Sequence, residues 1–384
     1  MYNILYIHHA GELGGAPKSL SIILDELDRS RFKPTVFMLI NGPAKELFLK
    51  SGTKVITSSK RLFAFHGTTV SGMSFRLFSK NILYILPNML TAYKVIKKAN
   101  PQLIHLNTSC LFVYAITAKL FFKNVKVVSH IREPLLKNLF GKILQFFNRI
   151  SVDHFIAIND YEASFFNKIN TSIIKNSVNL EEYKSNSLIK EEERKKIGLK
   201  TSDFIVGFFA RFNIENGIED ILEIAKKLED NNVKFLIYGY APNLLDNKIK
   251  SIAKEMPNNV ILKGMVNDVA IKMQMIDVLI SPFKTPHFSR SIIEAQSLSI
   301  PVLATNVKSQ NTLLKDGDTG YLYSFGNIED AVSKLILMKN DIEKLREMKK
   351  NSRKLAKKNY CQTLNNNRTF EIYEKLLKND KSSF

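Results

Sequence analysis

The sequence predicts an α/β protein built from two doubly wound, parallel-sheet domains. Three observations carry that expectation. A length of 384 residues accommodates two domains of ordinary size. β-Rich runs alternate with helically spaced apolar segments in both halves of the chain. The third is the stretch Leu279 to Thr305. Leu279-Ile280, with Val278 ahead of them, read as a buried strand ending at Ser281-Pro282. A loop from Phe283 to Phe288 follows. Ser289 can then cap a helix whose Ile292, Ile293, Ala295 and Leu298 form an apolar stripe. Pro301 stops that helix, and Val302-Leu303-Ala304 starts the next strand. A unit of this length implies parallel strands and puts the loop at their carboxyl ends, where open α/β sheets bind ligands.

The remaining elements follow in order. Asn3 to His8 is a β-rich run, His9 to Pro17 a glycine-containing loop, and Lys18 to Leu27 has helical spacing in Leu20, Ile22, Ile23, Leu24 and Leu27. Pro34 to Ile40 and Lys54 to Thr57 read as strands. From Lys60 to Lys98, Phe and Leu residues are interleaved with Arg61, Arg76 and Lys80, and the spacing suits amphipathic helices. Leu103 to Leu106 is a strand before the polar loop Asn107-Thr108-Ser109, and a core helix follows. This is the most apolar stretch of the chain, but its polar interruptions argue against a membrane span. Val125 to Ser129 is a strand, with His130-Ile131-Arg132-Glu133 just past its end. Phe155 to Asn159 and Ile173-Ile174 close the first domain. After the polar run Lys184 to Thr201, Phe204 to Phe209 opens a second alternation, with Arg211 after its first strand and a helix from Ile218 to Leu228. Lys234 to Gly239 and Val260 to Gly264 read as strands, Asp316 to Leu322 as a turn and strand, and Asn365 to Lys378 as a last helix.

Composition narrows the function. Cys110 and Cys361 provide neither a metal-ligand spacing nor a disulfide framework, so a reducing cytoplasm is expected. MYNILYIHHA reads as a first strand rather than a signal peptide. The net charge is +20, with thirteen basic residues and no acidic one between Leu47 and Arg132. Such a surface suits an anionic membrane or solvated helices. Nucleic acid is set aside, because no nucleic-acid motif is present.

Several residues sit where chemistry is expected. The first turn of a helix leaves backbone N–H groups without helical partners, so the amides near Phe288, Ser289 and Arg290 suit sugar hydroxyls or phosphate oxygens. Glu294, one turn in, can accept two hydroxyl protons, as from a ribose diol. Arg211 at a strand end can grip a diphosphate with its fork. His130 lies beside the same kind of strand end, and Gly14-Gly15 allow close backbone approach.

These motifs together resemble the GT-B glycosyltransferases of family four. The family's donor-site signature holds two Glu residues eight apart, with Phe-Gly between them. Phe288 and Ser289 occupy the Phe-Gly positions and Glu294 that of the second Glu, which holds the ribose; Pro286 replaces the first, with His287 adjacent. GGAPKSL matches the glycine pair under the donor diphosphate, with Gly15 as its second member. His130 matches a histidine that approaches the donor hexose. Arg211 matches the arginine of an Arg/Lys clamp whose lysine is Asn216 here, with Gly217 kept and no second cation evident in the sequence. Gly264-Met265-Val266 matches the loop that pairs the base through its backbone, and IIKNSVNLEEY the inter-domain connector, with Asn176 and Asn179 as turn residues.

The resemblance implies a GT-B fold of two Rossmann-like domains facing across a cleft. An acceptor-side domain would span 1–175, a donor domain 176–361, and a helix at 362–384 would cross back. It implies a retaining, hexosyltransferase-type enzyme of cell-surface polysaccharide synthesis, taking a nucleotide diphosphate sugar and a saccharide or lipid-linked acceptor. No metal and no cofactor are expected. The cysteine usage and the basic, Phe- and Leu-interleaved first half, rather than the resemblance, point to a cytoplasmic location with peripheral binding to the inner face of the membrane. Two other readings stand beside it: a GT-B binding or partner subunit without chemistry, motivated by Pro286 and Asn216, and a nucleotide-sugar epimerase on a similar fold.

Overall fold

The computed structural model describes residues 1–69, 75–166, 170–229, 232–241, 245, 247–286 and 288–378. His287 lies outside the described residues. The chain divides into two compact units, Met1–Ser177 with Gln362–Phe384, and Val178–Cys361.

The first unit runs β1 (Tyr2–His8), α1 (Gly15–Asp25), β2 (Phe32–Met38), α2 (Ala44–Lys50), β3 (Lys54–Thr57), α3 (Phe75–Leu83), α4 (Ile85–Ala99), β4 (Leu103–Leu106), α5 (Phe112–Phe121), β5 (Lys126–Ile131), α6 (Leu139–Ser151), β6 (His154–Ala157), α7 (Asp160–Ala163) and β7 (Thr171–Ile173). Its strands form one parallel sheet in the order β3-β2-β1-β4-β5-β6-β7. The second unit runs α8 (Ser187–Lys196), β8 (Phe204–Phe209), α9 (Ile218–Lys227), β9 (Val233–Tyr238), α10 (Asn247–Ile252), β10 (Val260–Leu262), α11 (Val269–Lys272), β11 (Val278–Ser281), α12 (Arg290–Ser297), β12 (Val302–Thr305), β13 (Gly320–Tyr323), α13 (Ile328–Asn340) and α14 (Ile342–Asn359). Its parallel sheet is ordered β10-β9-β8-β11-β12-β13. The last helix, α15 (Gln362–Lys378), belongs to the first unit.

Alternation along the strands builds two apolar layers in the first unit. Leu5 and Ile7 of β1 join a core with Ile96 of α4, Ala115 of α5 and Leu144 of α6. Ile4 and Tyr6 face the other way, onto Leu20 and Leu24 of α1 and Tyr373 of α15. Both faces of the sheet are therefore covered, and its central strands read as near-continuous apolar runs.

Two differences from the sequence expectation bear on the His130 region of the first unit. β5 runs two residues further than expected, so His130 lies in the strand, opposite Ile156 of β6, rather than past its end. Pairing with β6 and burial of Ile131 carry the strand through a polar residue. Helix α6 was not evident in the sequence. Asn138 caps it, accepting hydrogen bonds from the N–H groups of Phe140 and Gly141 at 3.1 Å. A Cβ at Gly141 would lie 1.8 Å from the Leu136 carbonyl oxygen, which explains a glycine inside this helix.

Candidate functional site

In the second unit, β8 and β11 pair directly, with Val278 opposite Val206 and Leu279 opposite Gly207. Their carboxyl ends therefore emerge side by side. Arg211 lies just beyond β8, and the loop into α12 lies beyond β11. Gly217 adopts φ +80°, and a Cβ there would lie 2.0 Å from the Pro282 carbonyl oxygen. This close approach locks the two loops together. The Lys284 N–H adds a hydrogen bond to the Glu215 carbonyl at 3.0 Å.

Arg211 is exposed, and among the described residues its guanidinium has no ion-pair partner. Asn216 turns its side chain inward: Nδ2 donates to the Arg211 carbonyl at 2.8 Å, while its N–H donates to Asn213 Oδ1 at 2.9 Å. Its amide thus holds the loop that presents Arg211. A second cation does stand near this loop. Lys284 Nζ lies 2.9 Å from Glu219 Oε2 and 3.3 Å from Asp220 Oδ1, in the first turn of α9.

Ser289 occupies the N-cap of α12 without capping it through its side chain. Its Oγ instead lies 2.8 Å from Ser291 Oγ, so the cap expected from the sequence is a hydroxyl pair. Phe288 is buried beside it. Glu294 is also buried, 6% exposed, and its Oε1 lies 3.4 Å from Arg290 Nε. Burial, followed by the negative charge of Glu294, raises the Tyr183 phenol above the ordinary tyrosine range, and Glu294 also hydrogen-bonds it. Met265 is exposed beyond β10, the edge strand, two positions from β8 in the sheet.

The first unit holds His130 and Gly15. Gly15 is exposed and opens α1 without needing a left-handed backbone. His130 is buried, and burial together with the Arg132 charge holds its pKa well below the ordinary value. The imidazole is therefore neutral. Arg132 Nη2 lies 3.3 Å from His130 Nδ1. A guanidinium only donates, so Nδ1 accepts and the proton resides on Nε2. That Nε2–H is buried and has no hydrogen-bond partner among the described residues. It is an unsatisfied buried donor on a residue that lines a small pocket.

Arg132 is the hub of this region. It donates from Nε and Nη2 to Asn107 Oδ1 at 3.1 and 2.8 Å, and from Nη1 to Asn176 Oδ1 at 2.8 Å. Asn107 Nδ2 in turn lies 2.9 Å from His8 Nδ1 and donates to the Ala16 carbonyl at 3.1 Å. The network thus joins the first turn of α1, next to Gly15, to the His130 side chain. His130, Arg132 and Asn176 line one pocket with Ser19, Asn365 and Asn366. Sequence reasoning assigned no role to Arg132, Asn107 or Tyr183. The available signal was a polar residue immediately after each of β4 and β5.

Two family models match, Glycosyltransferase Family 4 over residues 13–182 and Glycosyl transferases group 1 over residues 189–355. The chain is 27% identical over 176 residues to a capsular polysaccharide biosynthesis glycosyltransferase of Staphylococcus aureus, across 45% of each chain. It is 27% identical over 188 residues to the UDP-Gal:alpha-D-GlcNAc-diphosphoundecaprenol alpha-1,3-galactosyltransferase of Escherichia coli, across 47% of this chain and 48% of that one. The chain thus spans about half the length of these curated relatives. The structure of Anabaena HepE in complex with UDP superimposes with a TM-score of 0.80 at 19% identity, over 97% of this chain and 100% of that one. That likeness shows the fold.

Proposed function

The chain belongs to the GT-B glycosyltransferases of family four, and from that premise we propose that it is a retaining hexosyltransferase of cell-surface polysaccharide synthesis. It takes a nucleotide diphosphate sugar and a saccharide or lipid-linked acceptor. The bond between the anomeric carbon and the diphosphate oxygen breaks, and a bond to the acceptor oxygen forms on the same face. The acceptor proton leaves with the diphosphate.

One observation carries this reading: the exposed Arg211 and the start of α12 emerge at the carboxyl ends of adjacent parallel strands. Arg211 neutralises charge on the departing diphosphate. Backbone amides from Phe288 to Arg290 take sugar or phosphate oxygens, aided by the helix dipole, so the step needs no metal or other cofactor. Glu294 accepts the ribose diol, and the Met265 backbone pairs the base. Gly15 admits close backbone approach. His130 donates from Nε2 to a hexose hydroxyl. Asn216 acts on the donor indirectly, by fixing the loop of Arg211.

The test is a thermal-shift screen of nucleotide sugars beginning with UDP sugars. Mass spectrometry then follows incubation with lipid-linked and soluble saccharide acceptors. Stabilisation by one donor and an acceptor heavier by one hexose are expected. Donor binding with neither transfer nor slow donor hydrolysis would make the chain a binding subunit instead.

A further inference from the structure

We propose that α3, α4, the end of α5 and α6 together form a docking face for an anionic lipid bilayer. The proposal rests on the reading of the chain as a transferase with an acceptor at a membrane surface. Thirteen of the twenty-four large apolar side chains exposed among the described residues lie between Phe75 and Ile150. A fifth of the chain therefore holds more than half of them, and the concentration requires a partner.

Helical spacing arranges these side chains in stripes. On α4, Leu86, Leu90, Tyr93 and Lys97 follow one another at the spacing of a single face, while Ala92 and Ile96 face the core. On α6, Leu139, Phe146 and Ile150 share the outer face with Lys142 and Arg149, while Leu144 is buried. Ring contacts tie the helices together. Tyr93 meets Phe121 at the end of α5 at 5.4 Å, and Phe78 of α3 meets Phe140 of α6 at 5.3 Å.

The charge is of one sign. Between Phe75 and Ile150 there are twelve basic residues, and Glu133 is the only acid. Its carboxylate is occupied, with Thr68 Oγ1 donating to Glu133 Oε2 at 2.6 Å. The basic side chains stand within the apolar stripes: Lys97 Nζ lies 5.9 Å over the Tyr93 ring. Protein interfaces are depleted of lysine. Interfacial helices combine Leu and Phe with Lys and Arg, whose long stems lie along the apolar surface while their heads reach phosphates. The occupant that matches is a bilayer carrying negative headgroups.

The experiment is co-sedimentation of the full chain with phosphatidylglycerol-containing and pure phosphatidylcholine vesicles, at low and high salt. Binding should favour the anionic vesicles and weaken with salt. Two double variants, Leu86→Ser with Leu90→Ser and Lys94→Gln with Lys97→Gln, should each bind at least tenfold more weakly. All four side chains are exposed, and circular dichroism would check that the variants fold. Absence of binding, or binding indifferent to lipid charge and to both variants, overturns the proposal. So does a self-associated state that Leu90→Ser dissociates, which would assign the face to a second copy. Nucleotide affinity, followed separately by calorimetry, should be unchanged in both variants. Vesicle binding without any nucleotide binding would break the transferase reading and leave the docking face standing.

Discussion

Glu294 Oε1 lies 3.4 Å from Arg290 Nε, one turn back along the same helix, with both side chains largely buried. The carboxylate is thus held in a set orientation, with Tyr183 as a further partner. If one face of it accepts a ribose diol, Glu294→Ala should weaken nucleotide binding by about 1.5–3 kcal/mol, the range for hydrogen bonds to a charged group. Calorimetric titration with UDP measures this. Unchanged affinity in a folded variant would remove Glu294 from the site.

Arg211 is expected to act through its fork. Arg211→Lys keeps the charge and loses bidentate geometry. Loss of such a preorganised donor commonly lowers kcat by about 10²–10³-fold. Lys284, whose backbone is hydrogen-bonded to the same loop, is a candidate to compensate, but two carboxylates already engage its ammonium. A Lys variant with full kcat would show that the diphosphate is held elsewhere.

The β11–α12–β12 unit was legible because local signals agree: a β-branched run, a proline stop and helical apolar spacing within one short stretch. Sequence placed His130 just past the end of β5 and could not show that pairing with β6 extends the strand through it. The tie between Tyr183 and Glu294, and the convergence of Asn107 and Asn176 on Arg132, join residues distant in sequence. Only the fold brings such residues together. Asn216 could be read as a missing cation. That its amide closes the Arg211 loop depends on backbone geometry, which no residue spacing reveals.

Gly217 offers a sharper test of how the second unit's two loops are joined. At φ +80° a side chain costs about 1–2 kcal/mol, and its Cβ would also meet the Pro282 carbonyl. Gly217→Ala should therefore displace one loop, lower Tm and weaken nucleotide binding. Gly198→Ala is the control, because Gly198 has φ +73° with open space around the added Cβ. It should show the backbone penalty alone. Equal losses of stability and nucleotide affinity in the two variants would mean that the Gly217–Pro282 contact does not position the site.

The histidines of the first unit predict an acid limit to stability. Burial is the main cause lowering His8, His9, His105 and His130, with His9 reaching about 4 and His105 about 3. An unfolded chain protonates each near 6.5. Below that pH the unfolded state binds more protons than the folded state, so stability falls as pH falls. It is fully present above about 6.5 and declines towards the folded pKa values, with a slope approaching about 1.4 kcal/mol per pH unit for each histidine. Urea unfolding between pH 8 and pH 5 should show the decline. His105 is fully buried, and its Nδ1 lies 2.6 Å from the Tyr373 hydroxyl. His105→Asn keeps a polar group there and removes the titration. Its stability should be lower at pH 8, yet its decline between pH 6 and pH 5 should be shallower by about that single-histidine slope. An unchanged slope would mean that His105 takes up its proton equally in both states.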